Sequence, residues 1–292
     1  MNSAKTILMS AALNFRKWRG SWRVGVPILC TITFYVLNLW GLRGFCADYE
    51  VNITAWLFPF MYGIGVMIML FGYSVIVLFS DAPFMDGQMM FWVARTGRLS
   101  WILGQIIYIV LASLIYALFL ALLPALILMP NVSFANDWGE GMYFLAERTD
   151  VLGSYNVALG ITSDMLKSMS PSKIMLASTL MAWLCGMFIG SIMLCANMIS
   201  GAYLGTIFCS LLALLSYFSI YVGPYMIGDI IYWISPLNWV CIYGVNWDGA
   251  GGLPSPAYSI SVLLVTTLLC FSLSAYIFCK RDVNVRQGGI LQ

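Results

Sequence analysis

Six stretches of this chain, at residues 24–40, 55–79, 102–128, 174–199, 202–222 and 260–278, contain no Asp, Glu, Lys or Arg. A helix needs about 20 mainly apolar residues to cross the hydrocarbon core of a membrane. In lipid every backbone polar group must be satisfied internally, which leaves only helices and closed barrels. These runs are continuously apolar and do not alternate, so they predict helices. Charged residues make up 9% of the 292 residues and hydrophobic ones 61%, whereas a soluble domain is roughly half apolar and about a quarter charged. The expected fold class is all-α: one integral membrane domain over residues 1–292, with six transmembrane helices.

The segments between the runs give the rest of the layout. Residues 3–22 place Ile7, Leu8, Ala11, Ala12, Phe15 and Trp18 at helical spacing among Lys5, Arg16, Lys17 and Arg19. That pattern predicts an amphipathic helix lying at the membrane interface, in contact with lipid, rather than a plain basic flank. The polar N-terminus has no small-residue cleavage site, so no cleavable leader is expected. Residues 43–52 read as a short outer loop, 81–100 as a cytoplasmic loop, and 131–172 as a long outer loop holding one or two short helices. Residues 223–256 mix prolines with short apolar pieces and with Trp233, Trp239 and Trp247. Ten to fourteen apolar residues interrupted by proline read as a re-entrant outer segment before the last span. With the N-terminus inside, Lys5, Arg16, Lys17, Arg19, Arg23, Arg95, Arg98, Lys280, Arg281 and Arg286 are internal, and only Arg43, Arg148, Lys167 and Lys173 are external. That bias places both termini in the cytoplasm of a multi-pass protein of the cell (plasma) membrane.

The chemistry absent from the sequence is as informative. There is no histidine, no phosphate-cradling GxxxxGK[ST], no GxSxG or HExxH, and no zinc spacing. The chain itself is therefore expected to be neither an ATPase nor another enzyme, with no metal or cofactor of its own and no nucleic-acid partner. No span carries an ionisable residue at its middle, which argues against ion coupling. A passive channel or scramblase would need a polar groove along a span, and none is evident. Gln105 and Asn197 read as helix-contact residues. Of the eight cysteines, Cys46 and Cys241 fall in outer segments, where a disulfide is conceivable but cannot be read from sequence. Ala182, Gly186 and Gly190, then Gly201 and Gly205, recur at four-residue spacing. Such rows let helix backbones approach closely, within one subunit or at a dimer seam.

The cytoplasmic loop holds the most distinctive stretch. Pro83 can start a helix, with Phe84 and Met85 beside it and Asp86 in the first turn against the positive helix end. Gln88, Met89, Phe91 and Trp92 follow, with Arg95 and Arg98 at the far side. Exposed Met, Phe and Trp suit a groove on a partner protein or the headgroup layer equally well.

The order of these segments resembles the membrane (permease) subunit of a type-2 ABC exporter over nearly the whole chain. The local matches are FRKWRGSWR at 15–23, MDGQMMFWVARTGRLSW at 85–101 and YWISPLNW at 232–239. Asp86 stands where this family often has Glu, and the 131–172 loop is longer than in its minimal members. The resemblance implies that Pro83, Phe84, Met85, Asp86, Gln88, Met89, Phe91, Trp92, Arg95 and Arg98 couple to a separate cytoplasmic ATPase subunit, which carries the ATP and Mg. It implies a second permease subunit, in a homo- or heterodimer, and an outer gate at Tyr232, Trp233, Pro236 and Trp239. The cargo implied is amphipathic or lipid-like: a hydrophobic peptide, a drug or a lipid-linked compound. The alternative is a non-transporting membrane sensor, scaffold or immunity protein that binds a ligand through its outer loop.

Overall fold

The computed structural model describes residues 3–85, 89–200, 203–247 and 251–280. The chain opens with α1 (Ser3–Arg16) and α2 (Trp22–Asp48), then β1 (Ile53–Thr54), α3 (Phe58–Met61), α4 (Gly65–Leu78), α5 (Met89–Thr96) and α6 (Arg98–Leu128). Next come β2 (Val132–Ser133), α7 (Gly139–Glu147), α8 (Thr149–Ser154), α9 (Ser163–Ser168) and α10 (Pro171–Ser200). α11 (Leu204–Tyr221), α12 (Gly223–Ile227) and α13 (Ile230–Ile234) lead to two 3-10 turns, Pro236–Val240 and Ile242–Gly244, and to α14 (Pro256–Lys280).

The molecule is mostly helical. Five helices, α2, α6, α10, α11 and α14, are long and apolar enough to cross a membrane, as in a multi-pass membrane protein. The second expected span, 55–79, is not one helix but α3 and the 14-residue α4. The cause lies far away in sequence. In a continuous helix the Phe60 carbonyl would accept from Ile64, but here it accepts from Gly63 N at 3.3 Å and from Gly160 N at 3.1 Å. Ile64 is extended, with φ −118° and ψ 126°.

Other boundaries also differ from the expected ones. α2 runs through the supposed loop at 43–48, past Gly41 and Gly44. Charge ends an apolar run without ending a helix, and Arg43 simply reaches across to donate to the Met129 carbonyl at 3.0 Å. The segment after α6 holds three short helices rather than one or two, plus a two-stranded parallel pairing of Ile53 with Val132 and Thr54 with Ser133. α1 stops at Arg16 and packs along α6. The face it buries is polar as well as apolar: Thr6, Ser10, Ala11 and Asn14 are buried while Leu8 is 58% exposed. Asn14 donates to Gln105, and Gly104 makes the approach possible, since a Cβ there would lie 2.5 Å from Ser10 Cβ.

α10 is the centre of the bundle, against α14, α6, α11 and α4, with α2 on the far side of α4 and α6. Of its most apolar stretch 78% is buried, against 28% for α2, α11 and α14. Apolar residues also face outward: on α6, Leu111, Ile115, Leu118, Leu122 and Leu126 are all exposed. Between helices in lipid, close packing and interhelical hydrogen bonds decide association, because lipid is as apolar as Leu. The eight cysteines are free, Cys46 and Cys241 among them.

Candidate functional site

The starts of α2 and α6, α1, α5 and the end of α14 meet at one end of the bundle, which carries most of the cations. Arg23 pairs with Asp81 at 2.5 Å. Arg98 donates to the Cys279 carbonyl at 3.2 Å, and Trp101 stacks on Phe278 at 4.7 Å. Trp18 donates its indole N–H to Tyr108 Oη at 3.0 Å. Asn197 donates to the Ala82 carbonyl at 2.8 Å and accepts from Gly205 N at 2.9 Å. It thereby joins the end of α10, the turn after α4 and the start of α11.

Pro83 does not start a helix. Residues 81–84 form a turn and Phe84 sits at φ 60°, a left-handed conformation that a helix cannot pass through. Phe84 packs edge-on against Tyr108, at 4.9 Å between ring centres. Met85 is exposed. Asp86 and Gln88 lie outside the described residues, and Met89 opens α5. On α5, Phe91 is 79% exposed whereas Trp92 is half-buried against the core. Arg95 is exposed, on the last turn of α5. Gly97, at φ 84°, turns the chain from α5 into α6, a conformation that a side chain would strain.

The small residues of α10 face neighbouring helices of the same chain. Ala182 is buried. A Cβ at Gly186 would touch Ser113 Cβ at 3.0 Å, and one at Gly190 would meet Ile109 at 2.6 Å. One at Gly205 would come 2.7 Å from Asn197 Oδ1. Gly201 lies outside the described residues.

At the opposite end, the chain from α12 to α14 turns back into the bundle. Residues 235–242 are buried, and the Cys185 thiol, midway along α10, donates to the Pro236 carbonyl at 3.3 Å. Trp239 is buried and donates to the Tyr232 carbonyl at 2.8 Å. Trp233 donates to the Gly252 carbonyl at 2.7 Å, and its ring lies 4.8 Å from that of Tyr258. Tyr232, Trp233 and Trp239 therefore gather in one aromatic plug around Tyr258 at the first turn of α14, whereas Pro236 lies against α10. A cavity of about 330 Å³ opens next to it, between α9, the start of α10 and residues 229, 242–247 and 251–253. Burial pushes the Tyr243 hydroxyl at its rim up to about 12.

One feature was not anticipated from sequence. Thr31 and Tyr35 on α2 are buried with their hydroxyls 2.9 Å from Tyr116 Oη and 3.2 Å from Tyr62 Oη. Asn38, one turn on, binds the Ala158 backbone through both N (2.8 Å) and O (2.9 Å). The spacing 31, 35, 38 on a single helix face was the available signal. Among the described residues no group of three or more His, Cys, Asp or Glu is placed to hold a metal ion.

Comparison with protein-family models, with curated proteins and with solved structures gives no match to this chain.

Proposed function

We propose that this chain is the permease subunit of an ATP-driven exporter of the type-2 ABC kind. It would work with a second permease subunit, identical or similar, and with a separate cytoplasmic subunit that binds ATP and Mg. Phe91 carries the reading. It stands 79% exposed on an eight-residue helix at the basic end of the bundle. An aromatic knob in that position suits a groove on a partner. Force on α5 would pass to α6 through the Gly97 turn, and from α6 to α14 through Arg98 and Trp101.

In this reading α3 and α4 together make the second of six crossings of the plasma membrane, both termini are cytoplasmic, and residues 235–244 are a re-entrant outer segment. The ten-to-four bias in basic residues supports that orientation. The apolar outward faces suit cargo that is itself amphipathic or lipid-like. A second reading, a ligand-binding membrane protein without transport, is favoured by the cavity at the acidic end.

Affinity purification of the tagged full chain in mild detergent, followed by mass spectrometry, separates the two. A soluble ATPase should co-purify with the wild type. Phe91→Ala should weaken its retention by about tenfold or more, the loss expected on truncating a central interface aromatic. A protein that purifies alone or only with itself would favour the ligand-binding reading.

A further inference from the structure

The cavity beside the aromatic plug has a composition that selects for charge. Met169, Ile174, Tyr243, Trp247 and Leu253 give it apolar and aromatic walls, and among the described residues Asp229 is its one carboxylate. We propose that this cavity binds an organic monocation with a compact apolar body, its ammonium group set against Asp229 and its body against Trp247 and Tyr243.

The walls are built rather than incidental. Trp138 Nε1 donates to the Met169 carbonyl (3.1 Å), Trp247 Nε1 to the Ile242 carbonyl (3.0 Å) and Tyr243 Oη to the Gly160 carbonyl (2.6 Å). Asn246 N donates to the Pro254 carbonyl at 2.9 Å. The polar atoms of Trp247 and Tyr243 are thus committed to the frame, and what these residues offer a ligand is ring surface, which attracts cations. Among the described residues the Asp229 carboxylate has no hydrogen-bond or ion-pair partner.

The chemistry excludes the other classes. An anion would meet Asp229. A divalent cation needs several oxygen ligands, and among the described residues the cavity offers one carboxylate. At about 330 Å³ the space is at the small end of ligand pockets, too small for a folded peptide. Among the described residues this end of the molecule carries eight carboxylates, Asp48, Glu50, Asp137, Glu140, Glu147, Asp150, Asp164 and Asp229, against Arg43, Arg148, Lys167 and Lys173. That field concentrates cations. The proposal is independent of transport and does not rest on an ATPase partner.

The test uses the purified full chain in detergent and three probes of one shape: phenethylammonium, 2-phenylethanol and 3-phenylpropanoate. Saturation-transfer NMR and equilibrium dialysis should show saturable binding of the cation only. Asp229→Asn should weaken it by about tenfold, and Asp229→Lys should move the preference to the anion. Leu253→Trp, which fills the cavity without changing charge, should abolish binding, with thermal melting of each variant as the check on folding. Equal uptake of all three probes, no saturable binding of the cation, or undiminished binding by Asp229→Asn would overturn the proposal.

Discussion

Asn238 is 1% exposed, and among the described residues neither its side-chain nitrogen nor its oxygen has a hydrogen-bond partner. A buried unsatisfied polar group costs about 1–3 kcal/mol. Asn238→Leu, which keeps the same branched four-atom skeleton, should therefore raise stability by about 1 kcal/mol in thermal unfolding. A fall instead would show that the amide is satisfied by buried water. Tyr155 presents the opposite case. It donates to Asp48 Oδ2 at 2.6 Å, and the Asp48 carboxylate pushes its hydroxyl from 10.0 up to about 12. Because the folded value is raised, the bond's contribution is complete below about pH 10 and is lost as pH rises through about 12. The melting difference between wild type and Tyr155→Phe should accordingly be constant at neutral pH and vanish toward the upper limit.

The same distinction between local and distant causes runs through the helices. The five long spans were legible because lipid forces each charge-free run into a helix whatever its neighbours do. The break at residues 62–64 was not, since it depends on Gly160 reaching Phe60 from about 100 residues away. The extension of α2 to Asp48 was hidden for a different reason: hydropathy marks where lipid ends, and helix ends are set by backbone punctuation. In the candidate site, Phe91 and Trp92 were named together, and only the structure separates an exposed knob from a half-buried wedge. Nothing in the sequence singles out Asp229, because its cavity is assembled from α9, the start of α10 and residues 229, 242–247 and 251–253. α1 offers a test at this scale. Gly104→Val would drive a side chain into Ser10 Cβ at 2.5 Å and the Ile7 carbonyl at 3.0 Å. The expected cost is about 1–3 kcal/mol, or release of α1 from α6. Release would make a cysteine placed at Ser10 reactive to thiol reagents, whereas it should be protected in the parent.

For the molecule as a whole, the proposed orientation predicts an all-or-none pattern. In cells, a membrane-impermeant thiol reagent should label single cysteines placed between residues 131 and 167 on a cysteine-free background. It should leave those at 81–85 and 91–98 untouched until the membrane is opened, and the reverse pattern would invert the topology. The proposed second crossing, broken between α3 and α4, has a further consequence, in the timing of biosynthesis. At about 1.5 Å per residue, α4 rises only about 21 Å, less than the ~30 Å of hydrocarbon to be crossed. It rests on α2, made just before it, and on α11, which is made only some 140 residues later. At ~5–20 residues per second this segment must wait on the order of ten seconds for its second support. Over that interval a chaperone or the insertion machinery has to shelter one exposed flank, and a chain halted before α11 would be a natural substrate for membrane quality control.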